Sequence, residues 1–112
     1  MPAIDPAILA QLFAMGGDSL RVALCAQLRE DFTRLHGAVA SADATEAARA
    51  THEVKGLAGT VGALRLAELA RRLDSMGADL AAEARLVLVA GLRSEIDSVL
   101  QALTMTEGSF CA

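Results

Sequence analysis

His52 is a nucleophile candidate with companions at helical spacing: Lys55 lies three residues on, Gly56 directly after it, and Gly59 three further. An unperturbed imidazole has a pKa near ~6.5. Its neutral form therefore carries a free lone pair at cellular pH and can attack an electrophile such as a phosphoryl group. A lysine one turn away on the same face offers charge-assisted hydrogen bonds to the negative charge that such a group brings. Glycine in a helix interior costs roughly 1 kcal/mol relative to alanine. Two of them on the histidine's own face therefore imply a need for bare backbone there. The simplest such need is a partner surface that comes very close to the ring.

The element that positions these groups is a helix. At ~100° per residue, Ala47, Ala50, Val54, Leu57, Ala58 and Val61 gather on one side, while His52, Lys55, Gly56 and Gly59 gather on roughly the opposite side. Asp43, with Glu46 three residues later, resembles a capping box at its start, and the helix is expected to weaken around Gly59 to Gly62. Before it, Asp5-Pro6 starts a short helix through about Ala14, which Gly16-Gly17 ends. Asp18 is expected to cap a second helix running to about Ala40, with Leu24, Leu28, Phe32, Leu35 and Val39 at steps of three and four. A fourth helix carries Leu66, Leu69, Leu73 and Met76 and stops at Gly77; a fifth starts after Asp79 and carries Leu88, Leu92, Ile96, Val99 and Leu103. The pattern predicts one all-α domain over 1–112: a short N-terminal helix in about 1–16, an antiparallel up-down-up-down four-helix bundle over 18–103, and a flexible tail at 104–112.

The run from His52 through Lys55, Gly56, Gly59, Gly62, Leu66, Leu69 and Leu73 resembles the histidine-containing phosphotransfer (HPt) domain of two-component phosphorelays. Ala70 and Asp74 fall where that family often has small and acidic residues. Val54 stands where leucine or isoleucine is usual, Asp74 where glutamate is common, and no arginine follows at the usual short distance. The resemblance implies the same bundle. It also implies that His52 accepts a phosphoryl group on its distal nitrogen, from the aspartate of one response-regulator receiver domain, and passes it to another. Lys55 would offset the phosphoryl charge, while Gly56, Gly59 and Arg49 would lie in the docking surface, which is expected along the third and second helices. An upstream hybrid histidine kinase is the implied source of phosphate. No cofactor is expected, since Mg²⁺ would sit in the receiver. The chain is thus read as a phosphohistidine carrier and as a monomer, with its status as an enzyme left open.

Composition narrows the field further. The 112 residues carry a net charge of −4, which argues against a general nucleic-acid binder. Arg49, Lys55, Arg65, Arg71 and Arg72 nonetheless cluster in the central third, either as solvated faces or as a local positive field around a phosphoryl group. No apolar run reaches the ~18 residues that span a bilayer. The start has no secretory pattern, and Cys25 and Cys111 offer neither a disulfide framework nor metal-type spacing, so the cytoplasm is the expected compartment. His36, the other histidine, has no motif around it and reads as a surface or boundary residue. The glycines at 56, 59 and 62 are not G-x-G-x-x-G and follow no strand, so neither an ATP site nor kinase activity is expected. Two other readings stay open: a phosphoacceptor domain of a chemotaxis-type histidine kinase, charged by an ATP-binding domain, and a helical adaptor that kept the fold and lost the chemistry.

Overall fold

Asp5 opens the first helix as read from the sequence: its carboxylate accepts from the Ala7 N–H at 2.9 Å, with Pro6 in the first turn. The computed structural model describes residues 2–77 and 79–106, with side chains to Thr104. It contains α1 (Pro6–Phe13), α2 (Asp18–Ala38), α3 (Ala44–Val61), α4 (Leu64–Met76) and α5 (Ala82–Thr106), and no strand among the described residues. Residues 39–43, 62–63 and 77–81 form the links between the four long helices. Such short links force neighbours to run antiparallel. α2 packs on α3 and α5, and α4 packs on the same two, which closes the four-helix bundle; α1 lies against α3. The expected tail at 107–112 lies outside the described residues. At 104–106 the chain is still helical, because α5 runs past the last core leucine.

The core is the predicted set of stripes. Phe32, Leu35, Val54, Leu66, Leu92, Ile96 and Leu103 are all fully buried. Sequestering one such side chain stabilises by about 1.5–3 kcal/mol, so these positions hold the helices in fixed register. Met76 is a correction: it is 42% exposed. Ten residues separate it from Leu66, which leaves it ~80° short of three full turns and off the stripe centred on Leu66, Ala70 and Leu73.

Two helix starts differ in detail from the expectation. Gly17, not Asp18, is the extended residue before α2, and no side chain caps it. Asp18 is instead the first helical residue and pairs with Arg21, leaving its charge beside the positive end of the helix dipole. At α3 the cap is Asp43, which accepts from the N–H groups of Thr45 and Glu46 at 2.9 and 3.2 Å. The reciprocal half of the box runs through Ser41, whose Oγ accepts from the Asp43 N–H at 3.1 Å and donates to Glu46 at 2.9 Å.

α3 does not weaken at Gly59; it continues to Val61 and ends at Gly62, in the left-handed region with φ 85°. There the Ala63 N–H donates to the Ala58 carbonyl at 2.8 Å, and the Gly62 carbonyl accepts from the Asp5 N–H at 2.8 Å. A Cβ on Gly62 would stand 2.8 Å from Ile8 Cβ. Both the backbone angle and the packing of α1 therefore require glycine here.

Cys25 is 1% exposed and takes part in a disulfide, against the expectation that the cysteines form none. Cys111 lies outside the described residues. The cysteines thus give no ground for a reducing compartment. Among the described residues, no helix is long and apolar enough to cross a membrane.

Candidate functional site

His52 sits at the middle of α3, on the face turned away from Val54 and Ala58, and its side chain is 71% exposed. The ring is anchored on one edge only. Its Nδ1 lies 3.3 Å from Oδ2 of Asp74 on α4, and Lys55 Nζ donates to the same oxygen at 2.9 Å. The hydrogen bond from Lys55, and then that from His52, hold the Asp74 carboxyl below its ordinary range. A carboxylate can only accept, so Nδ1 must carry the proton and Nε2 is left with the lone pair. The free nitrogen is the distal one, on the exposed side of the ring.

The same geometry has a pH consequence. Asp74 has a depressed pKa in the fold, so its contribution to stability is fully present above the unfolded value of ~3.9 and disappears as pH falls through the lower folded value. Thermal unfolding of the wild type and Asp74→Asn should differ by a constant amount from pH 7 down to about pH 4, the unfolded carboxylate range. The gap should close only in stronger acid. A gap that closed nearer neutrality would mean that Lys55 does not hold the carboxylate.

Gly56 and Gly59 lie on the exposed face beside the ring, and a Cβ at either would meet nothing within 4 Å. Close packing inside this chain therefore does not account for them. Gly56→Ala is expected to raise stability by about 0.4–1 kcal/mol through helix propensity and loss of unfolded-state freedom. A denaturant titration showing a loss instead would turn Gly56 into a packing residue.

Of the two readings of the basic cluster, a local positive field finds little support. Lys55 is matched by Asp74, Arg65 by Glu95 at 2.9 Å, and Arg71 and Arg72 both by Glu68 at 2.7 and 3.4 Å. Arg49 alone among those five has no ion-pair partner among the described residues, and it lies exposed one turn before Glu53.

His36 is excluded as a nucleophile by its partners. Its Nδ1 faces the Arg93 guanidinium at 3.3 Å, its Nε2 lies 3.1 Å from Asp97, and its carbonyl accepts from Arg93 Nε at 2.9 Å. Both ring nitrogens are engaged, so this histidine ties α2 to α5. The sequence placed Asp74 at a family position without a contact. Its role follows only from α4 packing on α3, and i, i+3 and i, i+4 spacing within α3 carries no signal of it.

His52 is thus an exposed imidazole at mid-helix in a four-helix bundle, held through Nδ1 by the Asp74 carboxylate. The family model of the Hpt domain matches residues 19–103. The chain belongs to the Hpt family. Neither a curated protein nor a solved structure matches it. The match runs from the start of α2 to Leu103, near the end of α5, so it takes in the whole bundle and leaves out α1. An Hpt domain serves histidine phosphotransfer in phosphorelays, where such domains interact with receiver domains and kinases. Within this Hpt domain, His52 and Lys55 converge on Asp74, Gly56 and Gly59 flank them, and Arg49 stands apart from the ion-paired set.

Proposed function

We propose that the chain relays a phosphoryl group between receiver-domain aspartates, with Nε2 of His52 as the acceptor atom. The observation that carries this reading is the exposed ring held through Nδ1 by Asp74. In the uptake step, the Nε2 lone pair attacks phosphorus as the bond from phosphorus to the aspartyl oxygen breaks. The carboxylate leaves with that electron pair, and the Nδ1 proton stays in place. The ring then carries a positive charge, which faces the Asp74 carboxylate at hydrogen-bond distance and is stabilised there. Return of the phosphoryl group to a second aspartate reverses the same bonds.

Lys55 is already in a hydrogen bond with Asp74. Its role is to neutralise charge on the face where the phosphoryl oxygens arrive, by turning from the carboxylate toward them. A divalent ion and its acidic pocket belong to the receiver in this scheme. Phosphate reaches the relay from a hybrid histidine kinase, and the domain works as a monomer because its core closes within one chain. The intact contacts among His52, Lys55 and Asp74 favour this over a fold retained without chemistry.

The test is to mix the chain with phosphorylated receiver domains and treat the product with acid and with base. A label lost in acid and kept in base marks phosphohistidine. A chain that takes up no label from any receiver, or that holds an acid-stable one, would remove the proposal.

A further inference from the structure

Cys25 belongs to the core rather than to the histidine site: it is 1% exposed on the inner face of α2, and its sulfur is in a disulfide. The chain has one other cysteine, Cys111. A second copy cannot reach a sulfur so buried while the bundle is folded. The bond is therefore made within one chain.

We infer that Cys25 is bonded to Cys111 of its own chain, and that this bond is a redox-sensitive lock fastening α2 to the chain that follows α5. Helix register supports it. α2 packs on α5, and His36 meets Arg93 and Asp97 across that seam. Cys25 precedes His36 by eleven residues, so in an antiparallel pair its neighbours lie as far beyond Arg93 and Asp97. That sets Cys25 level with the last turn of α5, which ends at Thr106. Cys111 comes five residues after Thr106. At ~3.3–3.6 Å per residue those five reach about 17 Å. Neighbouring helix axes stand ~8–10 Å apart, and a disulfide needs its two Cα atoms within ~7 Å. The span closes without moving either helix.

The lock lies away from the chemistry. Arg34 on α2 pairs with Glu53 on α3, which sets Cys25 level with the Gly62 end of α3, where Asp5 holds α1. His52 is level with residue 35, ~15 Å along the axis at ~1.5 Å per residue. The closed loop runs from 25 to 111 and contains α3, α4 and α5 entire. Cross-linking so long a loop restricts the unfolded chain and stabilises the folded one. Closing it passes two electrons to a disulfide oxidant such as oxidised glutathione, which leaves as two thiols carrying the two protons. A dithiol reductant runs the same exchange backwards.

The test incubates the 112-residue chain with glutathione poised from fully oxidised to fully reduced, then denatures it and caps free thiols with iodoacetamide. Intact mass should show no cap at the oxidised end and two at the reduced end. A digest of the oxidised chain should join the Cys25 and Cys111 peptides. The midpoint of thermal unfolding should fall by roughly 10–20 °C on reduction. Cys111→Ser, which keeps the buried Cys25 side chain in place, should melt with the reduced wild type and ignore the poise. Two caps at every poise would overturn the inference, as would a disulfide-linked dimer on a non-reducing gel. A bond that forms without moving the midpoint would overturn it too.

Discussion

A His52→Gln variant is expected to take up no phosphoryl group from any receiver that charges the wild type, while its melting curve stays where it was. Loss should be complete, because His36 has both ring nitrogens occupied by Arg93 and Asp97 and cannot substitute. Stability should hold within about 0.5 kcal/mol, the usual range for surface changes away from special features. The side chain is 71% exposed, and glutamine is a good helix former that can still donate to Asp74. Intact-mass measurement after incubation, beside circular dichroism melting, reads both effects. Persistent labelling would take His52 out of its role.

The second large effect concerns the frame. Phe32 is fully buried at the middle of α2, and Phe32→Ala should destabilise the bundle by about 3–5 kcal/mol through lost transfer energy and the cavity left behind. Domains of this size have only about 5–15 kcal/mol in total, so the midpoint of thermal unfolding should fall by roughly 10–20 °C. His52, Lys55 and Asp74 all lie on α3 and α4, so at low temperature, where the variant is still folded, phosphoryl uptake should survive. A denaturant titration giving less than about 1 kcal/mol would mean that α2 collapses around the hole. Loss of uptake in the folded variant would mean that α2 shapes the site directly.

These two residues also mark what could be read along the chain. Phe32 lies on a stripe with Leu28 and Leu35 that repeats at the helical period, and such a stripe has one plausible use. His52 stands out because the glycines beside it cost helix stability and touch nothing within the fold. Boundaries were less legible. Gly17 displaced Asp18 at the start of α2, and Met76 drifted off its stripe, because neither propensity nor a short run of leucines resolves a single residue or ~80° of phase. Spacing left the arginines open between solvated faces and a local field, and it was Glu68 and Glu95 that matched Arg65, Arg71 and Arg72. Cys25 proved to be disulfide-bonded, which no spacing along the chain disclosed.

By itself, the sequence determined the helices, the faces they bury, and the one imidazole that had to remain outside. These follow from spacing within single helices, which local geometry converts directly into faces. Only the tertiary structure decided which nitrogen of that imidazole is free. Asp74 is 22 residues from His52. Packing between helices sets such distances, and no period along the chain encodes them.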